Sequence, residues 1–561
     1  MTIYTSDGGA RQGDADLWCS YAAVRTLTWL GRKPTDPDAV RGFLLSRRNA
    51  DGGFAWQRGL ASDVWATYYC AQALGDLGTP VPSTDRLADW LATVRTADGG
   101  LAMTPGQSAD IWATYYACRL YAEVLGQPVP DVDALGGWLA GTQDASGGLT
   151  WQPGGTAPDT RAGYYGALAW RAAAGDRPMP VRHGALVTWL RDRQGTDGGF
   201  AFAPGAAPCA WAAFRATRAL RALGAAPRDP VGLYHWLAAR RLPLGGYERW
   251  RGYGRADVWA CFSVVGASDG LDPAAVEGVV DFVTGCQLPG SGFTYRAPDA
   301  AGDSLATAAA LLADPDGPRA CLLADWLRAA QLPAEDGVMY MPGRGAEMRC
   351  TLWAASALAG APRGLDGTRL RRWLTELRNP DGGYGYWHGR GSDLVSTASA
   401  VEIAAVAGLP MSTVDSGGVL QFLDTCRADG GYRPSPGAAQ PTVTATAQAV
   451  RTLALLGAVD RAVDLLPLID VAASPLGGYA AAPRGVPDLA STYQAVLTRQ
   501  ALERPVDREA LRRFLAKVRA GDGYSWSPLS RTPAGPLAHC LGVRLDRLAA
   551  GDTAPLPRLN L

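Results

Sequence analysis

Acidic residues recur in this chain about every 47 residues, each before an almost uninterrupted apolar segment. The position is Asp at most sites and another residue at a few: Asp16, Asp63, Asp110, Asp159, Cys209, Asp257, Asp303, Glu347, Asp393, Thr442, Asp488 and Pro536. At a helix start, an Asp carboxylate accepts hydrogen bonds from free backbone N–H groups and caps the helix. At the mouth of an apolar barrel it can also be desolvated enough to act as an acid. The spacing alone leaves both roles open.

Basic residues cluster in the loops before several of these positions. They are Arg249, Arg251 and Arg255 before Asp257, Arg344 and Arg349 around Glu347, and His388 and Arg390 before Asp393. Helix N-termini attract anions, and Arg adds paired donors that suit a phosphate group. We therefore predict that Arg249, Arg251, Arg255, Arg344, His388 and Arg390 bind an anionic substrate group such as a diphosphate. Solvated loop charge is the alternative.

Aromatic residues are frequent in the apolar segments, and they are Trp65, Tyr68, Tyr69, Trp112, Tyr115, Tyr116, Trp259 and Trp353. Many of them must serve in packing, but those that line a cavity could hold an apolar chain and stabilise a cation over their faces. Trp259 and Trp353 are predicted to contact the substrate.

The repeated unit predicts a pair of helices. Residues 63–78 begin with a capping Asp, are apolar on nearly every side and end at Gly78, as expected of a helix buried all round. Residues 83–95 are amphipathic, with Leu87, Trp90 and Leu91 on one face. The unit has no segment that alternates at the strand period. About twelve such pairs predict an all-α fold of two (α/α)6 toroids, each with apolar inner helices and amphipathic outer helices.

The domain boundary carries little sequence signal. A boundary between about Gly266 and Pro289 gives six inner helices on each side. We predict an N-terminal toroid at residues 1–280 and a C-terminal toroid at residues 281–561. The helix that opens at Asp16 could instead belong to the second ring.

Composition argues against several classes of function. Basic and acidic residues number 53 each, so the zero net charge gives no electrostatic basis for nucleic-acid binding. The ten cysteines form no Cys-x-x-Cys pair and lie mostly in apolar helices, which favours buried reduced thiols. No basic and apolar leader is visible, and no apolar run reaches about 20 residues. We expect a cytoplasmic protein without a transmembrane segment; peripheral membrane contact and the oligomeric state stay open.

Two kinds of segment carry a family resemblance. Residues 189–200 and 282–293 resemble the QW-type repeat of squalene and oxidosqualene cyclases, and the Asp-x-x-Ala-Thr-Tyr helices are similar to those of protein prenyltransferase β subunits. Both families are α/α toroids that handle isoprenoids, and cyclases of the squalene–hopene and bacterial diterpene type have two rings. The resemblance implies two toroids and an isoprenoid small molecule as substrate, although fold does not fix chemistry.

The resemblance also implies where an acid would lie. Two-ring cyclases protonate their substrate with a DxDDTA-type motif, in which a neighbouring carboxylate and a dry site raise the pKa of the middle Asp. This chain has no adjacent Asp pair, and residues 303–308 and 393–398 keep only the first Asp and the Thr-Ala. Asp303 and Asp393 are therefore the predicted substitute acids. The DDxxD motif for magnesium is also absent, so Mg²⁺ is expected only with a diphosphate substrate.

The similarity to prenyltransferases implies a zinc site as an alternative. The zinc ion of that family is held by Asp, Cys and His, for which this chain offers Asp257, Cys261 and His539. Asp257 and Cys261 share a helix face at i and i+4 instead of the family's Asp-x-Cys spacing. The leading prediction is a class II terpene cyclase-like enzyme that forms a carbocation in an aromatic-lined cavity with a non-standard acid. A non-catalytic prenyl- or protein-binding toroid and a zinc-dependent prenyltransferase are the alternatives.

Overall fold

The computed structural model describes residues 2–12, 15–58, 60–155, 157–243, 245–268, 270–297 and 301–560. The fold is mostly helical, which confirms the predicted class. The chain divides into two compact units, Asp14–Ala300 and Met1–Gly13 with Ala301–Leu561, called here the first ring and the second ring. In the described part of the chain, no helix is both long and apolar enough to cross a membrane.

The first ring is a closed cycle of inner helices. Among its described residues these are Leu17–Trp29, Val64–Asp76, Ile111–Arg119, Thr160–Ala174, Ala210–Ala222 and Val258–Ala267. Each packs against the next, and the last packs against the first. A π-helical turn, Leu120–Leu125, extends the third inner helix. The outer helices are Pro37–Leu45, Thr84–Ala92, Val132–Gly141, His183–Arg191, Pro230–Ala238 and Pro273–Gly285.

The second ring closes in the same way. Its inner helices are Ser304–Ala313, Met348–Ala357, Leu394–Val406, Val443–Leu455, Leu489–Ala501 and Pro536–Ala550, and they too contact one another in a cycle. Its outer helices are Ala320–Ala329, Gly367–Leu377, Ser416–Cys426, the short pair Val459–Val463 and Leu466–Asp470, and Arg508–Val518. A 3₁₀ turn lies at Met411–Thr413. Antiparallel hairpins pair Thr2–Tyr4 with Ala10–Gln12, Arg427–Ala428 with Gly431–Tyr432, and Arg519–Ala520 with Gly523–Tyr524.

A hydroxyl on each of most inner helices holds the turn that precedes it. The backbone N–H of Phe54 donates to Thr67 Oγ1 at 2.9 Å, and the pattern recurs at Thr114, Thr351, Thr397, Thr446 and Thr492. This contact explains the recurring Thr of the Ala-Thr-Tyr motif. Where it is present, it also fixes the preceding turn at the N-terminal end of an inner helix.

The same contact closes both rings across long stretches of sequence. Phe293 N–H donates to Ser20 Oγ at 2.9 Å, so the turn after the sixth outer helix of the first ring holds the first inner helix. In the second ring, Ala10 N–H donates to Thr307 Oγ1 at 2.9 Å. The predicted boundary after residue 280 falls inside Pro273–Gly285, and the first ring runs on to Ala300. Residues 2–12 join the second ring, whereas the helix that begins after Asp16 belongs to the first.

The glycine pair is required by close approach of the next outer helix. Gly198 has φ +89°, and a Cβ there would meet the Gly232 carbonyl oxygen at 2.2 Å. A Cβ on Gly199 would meet the Trp236 ring at 2.5 Å. The recurring Trp of the outer helices therefore packs directly on the glycine turn, which explains why the two sequence markers share one period.

We predict that Gly198→Ala destabilises the protein far more than Gly205→Ala. Both glycines have positive φ, but nothing lies within 4 Å of a Cβ on exposed Gly205. The backbone cost alone is roughly 1 kcal/mol at Gly205, whereas overpacking against Gly232 adds roughly 3 kcal/mol at Gly198. Urea unfolding of the two variants measures the difference; equal losses would contradict the close-approach explanation.

Candidate functional site

The two aspartates predicted as acids both cap their helices. Asp303 Oδ1 accepts the Ala306 N–H at 2.7 Å. Asp393 uses both oxygens on one residue, with Oδ1 accepting the Ser396 N–H at 2.7 Å and Oδ2 accepting the Ser396 hydroxyl at 3.0 Å. Burial raises the pKa of Asp393, and the Ser396 hydrogen bonds lower it. Both carboxylates are therefore engaged in capping, and their roles as acids stay predictions.

Glu347 is different, because its side chain does not cap its own helix. Arg344 Nη2 donates to Glu347 Oε1 at 2.9 Å, and the Tyr386 hydroxyl donates to Oε2 at 3.3 Å. Burial lowers the pKa of Arg349, but Tyr386, Cys350 and Glu347 raise it to a net increase. Glu347 thus lies near Arg344 and Arg349, which are part of the predicted Arg cluster.

The other predicted binding residues of the second ring lie apart from this group. His388 is exposed, and Arg390 is half-buried with its guanidinium 5.8 Å from the centroid of the Trp387 ring. Trp353 is fully buried inside the ring, where its indole N–H donates to the Asn560 carbonyl oxygen at 3.0 Å. Trp353 therefore packs against the protein's own chain.

A girdle of tryptophans lines the N-terminal end of the first ring. The residue two positions after the cap is Trp in five of the inner helices described: Trp18, Trp65, Trp112, Trp211 and Trp259. Trp18 stacks on Trp259 with ring centroids 4.6 Å apart, and it meets Trp211 edge-on at 5.7 Å. The ring centroids of Trp65 and Trp112 are 4.3 Å apart. These tryptophans therefore form an aromatic wall at the N-terminal turns of five of the six inner helices, and the fourth helix has Arg161 at this position.

Asp257 lies at this wall and is fully buried. Its Oδ1 accepts the Ala260 N–H at 2.7 Å, which caps the helix. Its Oδ2 is buried and has no well-formed hydrogen bond to any described residue, although the Tyr295 hydroxyl is near enough to lower the pKa. Burial dominates and raises the pKa of Asp257 to about 6, while Ala260 N–H, Tyr295, Arg249 and Arg296 act in the opposite direction.

Further buried polar groups surround this carboxyl. Arg249 lies with its guanidinium 3.8 Å from the centroid of the Trp211 ring, and its Nε and Nη1 are buried without a hydrogen-bond partner among the described residues. The hydroxyls of Tyr253 and Tyr295 are buried as well, and Arg296 lies near enough to Tyr253, and Asp257 to Tyr295, to shift their pKa values. Burying an unpaired polar group costs about 1–3 kcal/mol, so a cluster of such groups needs a structural or functional reason. We call Arg249, Tyr253, Asp257, Tyr295 and Arg296 the Asp257 cluster.

The cluster combines some predicted residues and leaves others out. Arg249 and Trp259 meet Asp257 as part of one site, whereas Arg251 and Arg255 are exposed. Sequence analysis assigned no role to Tyr253, Tyr295, Arg296 and the tryptophans at positions 18 and 211. The Trp two residues after five of the caps was a visible signal for the girdle. Nothing in the sequence joins residues 249–253 with 295–296.

The alternative zinc set does not assemble. Among the described residues, no group of three or more His, Cys, Asp or Glu side chains could hold a metal ion. Asp257 and Cys261 belong to the first ring and His539 to the second. Burial raises the pKa of the Cys261 thiol well above its usual value, so the thiolate that zinc requires is disfavoured.

We predict that Asp257→Asn removes a pH-dependent loss of stability. Because burial raises the pKa of Asp257 from 3.8 to about 6, folding favours the protonated carboxyl. That stability is present below pH about 4 and is lost as the pH rises through about 6, by about 3 kcal/mol. Asn retains the capping oxygen and does not titrate. The stability of the variant relative to the wild type should therefore increase over this pH interval.

The measurement is the unfolding free energy of both proteins between pH 4 and 8. Asp63→Asn is the matched control, because burial raises the pKa of this inner-helix cap to about 7. Its gain should therefore start at the same pH, which the unfolded state sets, but continue to about pH 7 and end larger by roughly 1.4 kcal/mol. A gap between Asp257→Asn and wild type that does not change with pH would show that Asp257 is ionised throughout.

The sequence matches the prenyltransferase alpha-alpha toroid domain family over residues 3–63, 56–249, 181–344, 255–438, 344–465 and 447–531. It is 30% identical over 256 residues to drimenyl diphosphate synthase of Streptantibioticus cattleyicolor, which covers 42% of this chain and 46% of that protein. The match thus spans less than half of the relative's length.

Two solved structures are also similar. An ent-copalyl diphosphate synthase from Streptomyces platensis has a TM-score of 0.49 at 19% identity, over 96% of this chain and 95% of that one. The Candida albicans protein geranylgeranyltransferase-I complexed with GGPP has a TM-score of 0.37 at 13% identity, over 44% and 84%. The family matches span most of the sequence, and the inner and outer helices alternate in closed rings. This chain belongs to the prenyltransferase alpha-alpha toroid domain family.

Proposed function

We propose that this chain is a terpene cyclase-like enzyme that acts on a prenyl diphosphate or polyprene, and that Asp257 is its acid. The observation that carries the proposal is Asp257 Oδ2, a buried carboxyl oxygen without a well-formed hydrogen bond to any described residue, beside a wall of tryptophans. The partial match to a drimenyl diphosphate synthase supports a prenyl diphosphate as the substrate class.

The chemistry requires a carboxylic acid that keeps its proton near neutral pH. Burial raises the pKa of Asp257 to about 6, so roughly a tenth of the carboxyl groups still carry the proton at pH 7. In the proposed step the Asp257 O–H bond breaks and a C–H bond forms at an alkene carbon, which leaves a tertiary carbocation. A carbon of the cation then loses a proton to the Asp257 carboxylate, which restores the acid, so the reaction is an isomerisation without net proton consumption.

The surroundings suit both charges that this step creates. The faces of Trp18, Trp211 and Trp259 could stabilise a carbocation through their negative quadrupoles. Arg249, which lies near Asp257, could stabilise the carboxylate that remains after proton transfer. Arg249, which acts to lower the pKa of Asp257, would thus also lower the free-energy cost of the ionised Asp257 carboxylate.

A diphosphate substrate would bring Mg²⁺ as a counterion, since the described residues offer no cluster able to hold a metal by themselves.

A non-catalytic prenyl-binding toroid is the second candidate. The observation in its favour is that the aspartates of both motif relics, Asp303 and Asp393, act as helix caps. A binding protein would need the aromatic wall but no acid. The two candidates differ in whether an isoprenoid is converted or only held.

The expected result is conversion of a prenyl substrate that depends on Asp257. Purified protein is incubated with geranyl, farnesyl and geranylgeranyl diphosphate and squalene, with and without Mg²⁺, and products are identified by GC–MS and LC–MS. Asp257→Asn should lower the turnover of the preferred substrate by about 100-fold or more, because the proton donor is lost. Asp63→Asn, at the equivalent cap of another inner helix, should change turnover by only a few-fold.

Asp303→Asn and Asp393→Asn belong in the same experiment. Full activity in Asp257→Asn with loss in either of these two would move the acid to the second ring, where the motif relics lie. Saturable quenching of tryptophan fluorescence by a prenyl diphosphate, without any product from a folded protein, would instead favour the binding toroid.

A further inference from the structure

A short segment after the last inner helix runs into the second ring. Leu556, Leu559 and Asn560 are buried, and Leu559 and Asn560 are fully so. The preceding residues, 551–555, are exposed. The segment has no helical or strand structure, so its backbone polar groups depend on partners from the ring.

Side chains of the inner helices satisfy the main chain of this segment residue by residue. Gln500 Oε1 accepts the Leu556 N–H at 3.0 Å, and donors meet the four following carbonyl oxygens. These donors are Tyr493 Oη to Pro557 at 2.7 Å, Ser356 Oγ to Arg558 at 2.6 Å, Gln494 Nε2 to Leu559 at 2.6 Å and Trp353 Nε1 to Asn560 at 3.0 Å. A ring interior with this lining recognises an extended peptide backbone.

The Asn560 side chain forms hydrogen bonds with three further residues. Its Oδ1 accepts from Arg451 Nη2 at 2.7 Å, and its Nδ2 donates to Glu402 Oε2 and Ser399 Oγ at 2.9 Å each. A guanidinium can only donate and an ionised carboxylate can only accept, so the two ends of the amide are distinguished. Aspartate would place a negative charge against Glu402, and leucine would leave these groups without their partner.

The two charged residues that bind Asn560, Arg451 and Glu402, are themselves deeply buried. Arg451 Nε and Glu402 Oε1 are 2.8 Å apart, and both side chains are 0% exposed. Arg451 also donates to Thr498 Oγ1 at 3.0 Å and to Gln494 Oε1 at 2.8 Å. Buried charges are tolerated where hydrogen bonds satisfy their remaining donors and acceptors. Asn560 supplies one such bond to each member of the pair, so the site and the segment complete each other.

We propose that the interior of the second ring is a binding site for an extended peptide. Residues 556–560 fill the site here, and it is selective for asparagine at the position of Asn560. The site is separate from the Asp257 cluster and does not depend on the proposed enzymatic function. A prenyl chain would accordingly not share this interior with the bound segment.

The test supplies the segment as a separate molecule. A variant that ends at Asp552 is mixed with a synthetic peptide of residues 553–561, and binding is followed by tryptophan fluorescence and by the thermal midpoint. Saturable binding that restores the lost midpoint is expected. A peptide with Asn560→Ala should bind about 10-fold more weakly or worse, because a hydrogen bond to a buried charge is lost. A peptide with Thr553→Ala, at an exposed position, is the matched control.

Variants of the full-length protein test the proposal if the shortened protein does not fold. Asn560→Ala and Asn560→Asp should each lower the thermal midpoint, with the larger loss for Asp, while Thr553→Ala leaves it unchanged. A folded shortened protein that does not bind the peptide, peptides that bind equally with Asn or Ala, or an unchanged midpoint in Asn560→Ala would overturn the proposal.

Discussion

The structure depends on one repeated contact, the hydrogen bond from a turn N–H to a Thr or Ser hydroxyl on an inner helix. The contact is local at Phe54 and Thr67, but it spans the sequence at Phe293 and Ser20 and at Ala10 and Thr307. Where the contact is present, it binds a turn to one inner helix, and the Trp or Phe of an outer helix packs on the same turn, so inner and outer layers are held in a fixed register. In both rings the contact also joins the first inner helix to a turn that is distant in sequence. An N–H buried without a partner would cost about 1–3 kcal/mol, which explains why the hydroxyl recurs at most of these positions.

The aspartate caps illustrate how one local motif can acquire different chemistry. Asp257, Asp303 and Asp393 occupy the same position relative to their helices, and each accepts a backbone N–H at about the same distance. Their second oxygens differ: that of Asp393 bonds to Ser396, whereas that of Asp257 lies buried beside Tyr295 without a well-formed bond. Burial raises the pKa of both carboxyls, so the hydrogen bonding of the second oxygen, and not the cap itself, distinguishes Asp257 from Asp393.

Periodic features could be predicted from the sequence, and features built from distant pieces could not. The helix pairs, the Asp caps and the apolar inner helices follow from the repeat, because each is specified within one unit. The division of the rings was predicted at residue 280, because Gly8-Gly9 directly precedes the helix Leu17–Trp29 in sequence and nothing in the spacing reveals that this turn serves Thr307. The Asp257 cluster brings residues 249–253 and 295–296 to a helix without any shared spacing. Residues 556–560 lie outside the repeat altogether, so nothing indicated that they enter a ring.

The pairing of residues 2–12 with the helix Ser304–Ala313 makes the first ring an insertion within the chain of the second. During synthesis the hairpin would emerge before any helix of the ring that it completes, and the whole first ring would follow in between. Since domains generally fold as units during synthesis, the inserted ring can form early, whereas the surrounding ring must wait for the joining of two distant stretches. Loop-closure entropy grows only slowly with loop length, and an already folded insertion would shorten the effective loop further.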